Sequence, residues 1–270
     1  MTFSILMSIY RKENPSWFHS AMQSIWDHQE VKPSEIVLVQ DGPLTAELYA
    51  QLDHWRSKLG KKLVCVPIKT NVGLGKALNI GLEHCSHELV ARMDTDDIAH
   101  PSRFAKQLHA FESIDIDVCG SWITEFDDDP SQITGARMLP ESHAAIAQYA
   151  KRRCPVNHPS VMYKKSAVLA AGGYQHMLWF EDYYLWVRML LNGAKFHNIQ
   201  EPLVHMRAGM GQLERRSGLD YAKSEWQLLS RFKELGFISS AEFLQIASLR
   251  LPIRLLPKFL IRFIYRSLRT

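Results

Sequence analysis

Apolar runs alternate with segments of helical periodicity along the first part of the chain. Four runs have the length of buried strands, and they span Phe3–Ile9, Glu35–Gln40, Lys62–Ile68 and Glu88–Met93. The segments that follow them carry apolar residues every three or four positions, as expected for amphipathic helices. This alternation predicts right-handed βαβ units, and therefore a mainly parallel α/β sheet with helices on both faces.

The later part of the chain continues the alternation less regularly. The predicted elements are a helix over Pro101–Phe111, a strand over Asp117–Phe126, a helix over Pro140–Arg153, a strand at Val161–Tyr163 and a helix that begins near Trp179. The acidic run Asp127–Asp129 is predicted to be an exposed loop, with a second metal site as the alternative.

The composition is that of an ordinary folded protein, with 46% hydrophobic and 22% charged residues. A chain of 270 residues can form one large or two small domains. The four cysteines are widely spaced without a CxxC pair, which argues against a zinc site and fits a reducing compartment. The first residues are expected to form a strand and not a signal peptide. No apolar stretch reaches the roughly 18 residues of a spanning helix.

Basic residues concentrate toward the C-terminus. Residues 248–270 contain six basic residues and no acid, whereas the whole chain has a net charge of +4. This distribution argues against nucleic acid as a partner of the whole protein. From Arg250 to Arg266 the basic residues recur every four positions among large apolar side chains, which is typical of an amphipathic helix on an anionic membrane. A helix packed on the catalytic domain is the alternative.

Acidic side chains follow two of the predicted parallel strands. Asp41 ends the second strand, and Asp94, Asp96 and Asp97 follow the fourth. Ligands of open parallel sheets bind at the carboxyl ends of the strands. Mg²⁺ and Mn²⁺ prefer oxygen ligands and are often held by one or two carboxylates plus a substrate phosphate. The pattern favours a metal site, while a solvated turn that caps the next helix through Asp97 stays the alternative.

Glu181 and Asp182 open a helix among aromatic residues. Acids in a first helical turn interact favourably with the helix dipole, which is the purely structural explanation. The functional explanation is that a carboxylate near Trp179, Phe180 and Trp186 acquires a raised pKa and can take a proton from a sugar hydroxyl. The residues alone leave both explanations open.

Other candidate residues carry weaker signals. Gly73 and Lys76 stand where a helix begins and could face a diphosphate, although the spacing fits neither GxGxxG nor GxxxxGK[ST]. The first interpretation of His158 is a structural loop histidine whose ring nitrogens are hydrogen-bonded within the protein. Arg207, Arg215 and Arg216 flank a Gly-rich segment. Either their charges are simply solvated, or the segment is a flexible lid whose arginines neutralise the leaving diphosphate.

Taken in order, these motifs resemble those of the family 2 inverting glycosyltransferases of the GT-A fold, especially bacterial enzymes that build O-antigen, lipopolysaccharide core or exopolysaccharide. The matching elements are Ser8-Ile9-Tyr10, Gln40-Asp41-Gly42, Asn71-Val72-Gly73 with Ala77, Asn79 and Gly81, Arg92-Met93-Asp94-Thr95-Asp96-Asp97, Asn157-His158-Pro159-Ser160 and Glu181-Asp182. The resemblance covers roughly residues 3–237. It implies a Rossmann-like GT-A catalytic domain at 1–237 and a helical, basic, membrane-associating segment at 238–270.

The resemblance also implies roles for individual residues. Asp41 would contact the nucleotide base and Asp94 the ribose. Asp94 and Asp96 would hold the Mn²⁺ or Mg²⁺ that bridges the donor diphosphate, and Asp182 would deprotonate the acceptor hydroxyl. The remaining nucleotide-sugar contacts would be Ser8, Asn71, Gly73, Lys76, Arg92, Thr95 and Arg207, and the acceptor contacts would be His158, Trp179 and Glu181.

The activity implied is a metal-dependent, inverting transfer of a hexose, galactose or glucose, from a UDP-sugar to a saccharide acceptor on a polyprenyl diphosphate. The product would be a β-linkage. The enzyme would be cytoplasmic and peripheral on the inner face of the bacterial inner membrane.

Two departures and two alternatives accompany this reading. Gln40 stands where many members have a second acid, and His205 lies too early, inside a strand, to be the further metal ligand of some members. A sugar-phosphate nucleotidyltransferase would need a Gly-rich loop after the first strand, where residues 10–13 contain no glycine. A non-catalytic sugar-binding protein at a membrane surface would not need its carboxylates intact.

Overall fold

The computed structural model of the chain describes residues 1–208 and 217–255. The strands there are β1 (Phe3–Ile9), β2 (Glu35–Asp41), β3 (Leu63–Ile68), β4 (Leu89–Arg92), β5 (Ile98–Ala99), β6 (Val118–Phe126), β7 (Ile133–Arg137), β8 (Met162–Lys164) and β9 (Phe196–Arg207). The helices there are α1 (Pro15–Ile25), α2 (Ala46–Leu59), α3 (Leu74–His84), α4 (Arg103–Ser113), α5 (His143–Ala150), α6 (Lys165–Ala170), α7 (Glu181–Leu191), α8 (Leu219–Glu234) and α9 (Ser240–Leu255).

The strands form one sheet in the order β3-β2-β1-β4-β8-β6-β9-β5, and β7 adds to β6. The first four are parallel neighbours, as the βαβ pattern predicts. Strand β8 runs antiparallel to both β4 and β6, whereas β6 and β9 are parallel. The predicted α/β architecture, a largely parallel sheet with helices on both faces, is confirmed.

The side chains of β1 alternate between two apolar layers because successive residues of a strand point to opposite faces. Phe3, Ile5 and Met7 pack with α1, α2 and α4 on one face. Leu6 packs on the other face with α3, α6 and α7. Every residue of β2 is buried, which explains why that strand reads as a continuous apolar run. The carboxyl ends of β1, β2 and β4 therefore open between two covered faces, at the same edge of the sheet.

Gly81 sets the distance between α3 and the sheet. A Cβ added there would lie 2.4 Å from Leu6 Cδ1 and 2.5 Å from Val39 Cγ2. Gly81→Ala should therefore destabilise the fold by about 1–3 kcal/mol through overpacking, measured by urea denaturation. Gly75→Ala, in the same helix, is the control, because its Cβ would meet ordinary contacts of 3.4 Å or more. Equal stability of the two variants would contradict this account of the helix–sheet contact.

Helices α7, α8 and α9 share a third apolar cluster. Tyr183 of α7 and Phe232 of α8 are fully buried in it, and Phe243 and Ile246 of α9 pack against them. The boundary predicted after Phe237 thus falls between α8 and α9, although both helices pack into this one apolar cluster. The described part of the C-terminal segment is the helix α9, which packs on α7 and α8.

The structure corrects the expectation for the first two arginines of the basic stripe. Arg250 and Arg254 both pair with Glu225, a fully buried carboxylate on α8, and do not form an exposed row. A buried carboxylate is costly without a partner, so this pairing outweighs solvation of the guanidinium groups. The rest of the stripe, from Lys258 to Arg269, lies outside the described residues. Within 1–208 and 217–255, no helix has the length and apolarity needed to cross a membrane.

Candidate active site

The acidic turn lies between β4 and β5, at the edge of the sheet where the parallel strands end. Asp94 and Asp96 are partly exposed there, whereas Asp97 is buried. Asp97 Oδ1 accepts a hydrogen bond of 2.8 Å from the backbone N–H of Arg207 at the end of β9. Asp97 therefore fixes the turn to the neighbouring strands and leaves the other two carboxylates to face the site.

Two buried guanidinium groups support this turn. Arg92 is 1% exposed and forms an ion pair with Asp94. Arg103 donates to the carbonyl oxygen of Arg92 at 2.7 Å and to Gln107 Oε1 at 3.1 Å. Burial, aided by the charge of Arg92, lowers the pKa of Arg103 to about 9. We therefore assign Arg92 a positioning role beneath Asp94, in place of the direct donor contact expected from the sequence.

The carboxylates around the turn repel one another. Burial first, and then the charge of Asp94, raise the pKa of Asp96 to about 6. The pKa of Glu13 rises to about 7 because of burial and the charge of Asp96, although a hydrogen bond with Thr95 opposes the shift. Burial raises the pKa of Asp97 well above its usual value, and Asp94 and Asp96 add to the shift. A cation would relieve this crowding.

Glu13 was not among the residues predicted for the site. A signal was present, since Glu13 lies four residues after β1, Asp41 is the last residue of β2 and the acidic turn follows β4. Parallel strands end at one edge, so an acid after any of them can reach the same site. Thr95, which was predicted, is buried and serves here as the hydrogen-bond partner of Glu13.

The donor set at the turn fits a divalent cation held jointly with a substrate. Among residues 1–208 and 217–255, no group of three or more His, Cys, Asp or Glu side chains is arranged to hold a metal ion. Mg²⁺ and Mn²⁺ need few protein ligands when phosphate oxygens complete the shell. The partly exposed carboxylates of Asp94 and Asp96 would hold such an ion.

The predicted nucleotide-side residues Asp41, Asn71 and Gly73 are brought together. Asp41 is 4% exposed, and its carboxylate accepts hydrogen bonds from Asn71 Nδ2 at 2.9 Å, Val72 N at 2.7 Å and Gly73 N at 3.1 Å. Gly42 has a φ of +88°, and a Cβ there would lie 2.9 Å from the backbone N of Asn71. Asp41 thus anchors the loop before α3, a role beyond the base contact expected of it.

The remaining donor-side residues lie along the same edge. Ser8 is partly buried near the end of β1, paired in register with Val39 of β2. Lys76 is exposed in the first turn of α3. The helix N-terminus at Gly73 carries no side-chain cap, so its backbone N–H groups are suited to an anion.

A cavity of about 390 Å³ opens beside α3 and α7. Predicted acceptor residues share it with residues that the sequence did not single out. Its lining consists of Leu74, Gly75, Leu78, His158, Tyr174, Leu178, Trp179, Glu181, Asp182 and Tyr221. An apolar and aromatic wall around two carboxylates suits a sugar ring, which presents both C–H faces and hydroxyl groups.

Asp182 is held in this cavity by its neighbours. Its Oδ1 accepts a hydrogen bond of 2.7 Å from the backbone N–H of Tyr183, and Cys154 Sγ donates to its Oδ2 at 3.6 Å. Burial raises the pKa of the Cys154 thiol, which keeps it protonated as a donor. Burial also raises the pKa of Glu181, as predicted for a carboxylate near aromatic residues. The cavity thus presents one carboxylate that is held by hydrogen bonds and a second whose pKa is raised by burial.

His158 and Tyr174 connect the two halves of the site. His158 Nε2 lies 2.9 Å from Tyr174 Oη. Burial, with the charge of Arg92 second, holds the pKa of His158 well below its usual value, so the ring is neutral. The pKa of Tyr174 is raised by burial and also responds to Asp94 and Asp182. The pair lines the cavity with Asp182, and Tyr174 also lies within electrostatic range of Asp94 in the acidic turn.

Arg207 is placed differently from the expectation that it faces a diphosphate. Its guanidinium group lies over the rings of Trp17 at 4.2 Å and Phe126 at 4.6 Å. It donates to the carbonyl oxygens of Asp127 at 2.8 Å and Asp128 at 3.1 Å. Arg207 thus ties the exposed 127–129 loop to the acidic turn. Arg215 and Arg216, the other arginines of the expected lid, lie outside the described residues.

Comparison with known proteins agrees with this geometry. The family model "Glycosyl transferase family 2" matches residues 4–169. The chain is 40% identical over 269 residues to the amylovoran biosynthesis glycosyltransferase AmsE of Erwinia amylovora, with 98% of each chain covered. It is 38% identical over 266 residues to an Escherichia coli UDP-Gal:alpha-D-GlcNAc-diphosphoundecaprenol beta-1,3-galactosyltransferase, covering 98% of this chain and 95% of that one.

Among solved structures, a mannosyltransferase from Pyrobaculum calidifontis in complex with GDP-Man and Mn²⁺ has a TM-score of 0.68. Its identity is 14%, over 98% of this chain and 79% of that one, so it supports the GT-A fold alone. The family model covers more than half of the chain, and the two bacterial relatives extend over nearly all of it. The chain belongs to glycosyl transferase family 2 and is a glycosyltransferase.

Proposed function

We propose that the enzyme transfers a hexose from a UDP-sugar to a GlcNAc or GalNAc residue carried on a polyprenyl diphosphate. Galactose is the first candidate for the hexose. The transfer inverts the anomeric centre and serves bacterial surface polysaccharide synthesis. The observation that carries the proposal is that the His158–Tyr174 pair lines the cavity together with Asp182, while the charge of Asp94 in the acidic turn also acts on Tyr174. The activity for which the Escherichia coli relative is named supports this donor and this class of acceptor.

The donor side is formed by the edge where the parallel strands end. Asp94 and Asp96 would hold Mn²⁺ or Mg²⁺, and the bound ion would stabilise the negative charge of the departing nucleoside diphosphate. Arg92 and Arg103 keep the acidic turn in place from below. Lys76 and the uncapped N-terminus of α3 present positive charge to the diphosphate from the adjacent loop.

The acceptor side is formed by the cavity. Asp182 takes the proton of the attacking hydroxyl while the oxygen of that hydroxyl bonds to the anomeric carbon and the bond to the diphosphate breaks. The N–H of Tyr183 donates to Oδ1 and Cys154 Sγ donates to Oδ2, so the carboxylate has a fixed orientation for this proton transfer. A single displacement converts an α-linked donor into a β-linked product. The aromatic wall excludes water, which would otherwise compete for the donor.

The test is a mass-spectrometric screen of UDP-sugars against a synthetic GlcNAc-α-diphosphate on a short alkyl chain, with and without Mn²⁺. We expect metal-dependent addition of one hexose and release of UDP. Formation of a UDP-sugar from UTP and a sugar 1-phosphate would instead identify a nucleotidyltransferase. Binding of UDP-sugar without any turnover, on all acceptors, would identify a non-catalytic sugar-binding protein.

We further propose that residues 256–270 attach the enzyme to anionic membranes. They contain four basic residues and no acid among large apolar side chains, the two contributions that interfacial binding requires. The proposed segment is shorter than 238–270, because α9 packs on the catalytic domain.

Deletion of residues 256–270 should release the protein from anionic vesicles and leave metal-dependent UDP binding unchanged. The electrostatic part of the vesicle binding of the full chain should weaken as salt rises, because surface charges are screened. Sedimentation with vesicles at low and high salt measures both effects. Equal pelleting of the full and truncated chains would contradict the proposal.

A further inference from the structure

Trp179 enters the cavity from a turn whose backbone a bulky residue seldom adopts. The hydrogen bond of 2.7 Å from Phe180 N to Met177 O closes the turn, and Trp179 occupies its third position with a φ of +66°. That region of φ favours glycine in such turns. The indole is nevertheless 40% exposed and lines the cavity beside Asp182. Surrounding structure must therefore hold this turn in place.

Helix α8 supplies that support from one of its faces. The ring of Tyr221 lies 5.3 Å from that of Trp179, at an interplanar angle of 30°. Ser224 Oγ donates to the carbonyl oxygen of Leu178, in the same turn, at 2.5 Å. Tyr221, Ser224 and Glu225 stand three and four positions apart, so they share the face of α8 that meets the turn.

The C-terminal helix α9 supports Tyr221 in turn. The guanidinium group of Arg254 lies over the Tyr221 ring at 4.9 Å. Its Nε donates to Glu225 Oε2 at 2.9 Å, and Glu225 is fully buried. A cation held by a buried carboxylate has little freedom to leave the ring, so its cation–π contact is fixed.

We propose that Arg254, Glu225 and Tyr221 are positioning residues for the acceptor. They hold Trp179 as the surface on which the acceptor sugar stacks, with its hydroxyl directed to Asp182. The inference rests on the proposed function and deepens it, because it extends the acceptor site to the last turn of α9.

Arg250 offers a matched control. It also pairs with Glu225, but its Nη1 donates to the carbonyl oxygen of Arg152 at 2.6 Å and its side chain contacts Tyr183, whereas the guanidinium group over the Tyr221 ring is that of Arg254. Arg254→Met and Arg250→Met each remove one guanidinium group from the same buried carboxylate. We expect Arg254→Met to raise the acceptor KM at least about fivefold and to leave the donor KM unchanged. Arg250→Met should change the acceptor KM less than about twofold, even where both variants lose similar thermal stability.

A second measurement does not depend on the identity of the acceptor. Acrylamide quenching of Trp179 fluorescence, obtained as the difference from Trp179→Phe, reports how firmly the indole is held. It should increase in Arg254→Met and in Tyr221→Leu, and stay unchanged in Arg250→Met. Equal effects of the two arginine variants on quenching and on acceptor KM would overturn the inference. The two arginines would then serve only to hold α9 against α8. Failure of the wild-type enzyme to use the GlcNAc diphosphate would count against the proposed function, while the quenching result still decides this inference.

Discussion

Replacement of Asp182 by Asn should lower kcat by at least about 100-fold while the affinity for UDP stays nearly unchanged. Asn keeps the size of the side chain and can still accept the hydrogen bond from Tyr183 N, but it cannot take a proton from the acceptor. Since Asp182 lies in the cavity and not in the acidic turn, donor binding does not depend on its charge. Steady-state kinetics with the alkyl-diphosphate acceptor, together with calorimetric titration of UDP, separates the two effects.

Glu181→Gln is the matched control for this experiment. Glu181 is adjacent in the chain and lines the same cavity with the same charge, but the hydrogen bonds from Tyr183 N and Cys154 Sγ orient Asp182. We expect its kcat to fall much less than that of Asp182→Asn. If Glu181→Gln proves the more severe variant, the catalytic base is Glu181 and the assignment given above is wrong.

Replacement of Asp96 by Ala should abolish the metal-dependent part of UDP binding, a loss of more than about 100-fold in affinity. This loss exceeds the 10- to 100-fold typical of removing a residue that only supports a metal ligand. The fold should stay intact, because Asp96 is only partly buried. In addition, partial burial and the charge of Asp94 disfavour its ionised form, so its carboxylate contributes little to stability. Titration calorimetry with UDP in the presence and absence of Mn²⁺ measures the change.

Asp128→Ala serves as the control for Asp96→Ala. Asp128 lies in the exposed loop that Arg207 joins to the acidic turn, and only its backbone carbonyl is used in that contact. Its substitution removes the same charge near the site without touching the expected metal ligands. Retention of metal-dependent UDP binding in Asp96→Ala would contradict the role of Asp96, and its loss in Asp128→Ala alone would place the cation in the 127–129 loop.

Much of the architecture could be predicted because it depends on local periodicity. The bounds of β1 agree with its apolar run, and β2, β3 and β4 agree within one or two residues. Strand β7 was missed because it lacks such a periodic pattern. Its residues, Ile133–Arg137, are mostly exposed at an edge, so they show no apolar alternation. Helix α8 also escaped the pattern analysis, although its Tyr221 lines the cavity, whereas α9 lies within the helical segment predicted at 238–270.

The residues of the site were predictable to the extent that chain position determines them. Acids after parallel strands must share an edge of the sheet, which brings Asp41 and the acidic turn together without knowledge of any contact. Membership of the cavity also agrees with the motifs, since His158, Trp179, Glu181 and Asp182 all line it. These four lie on segments whose order along the chain already resembles the family.

What each side chain does was decided only by tertiary contacts. From the sequence alone, every arginine is simply a cation. In the structure, Arg92 is buried beneath Asp94, Arg207 lies over two aromatic rings and Arg254 forms an ion pair with buried Glu225. Desolvation and pairing depend on residues that are distant in the chain, and together they determine whether a charge faces a ligand or holds the structure. The sequence therefore determined where the strands, the acidic turn and the cavity motifs lie, and packing determined which of their charges remain available for chemistry.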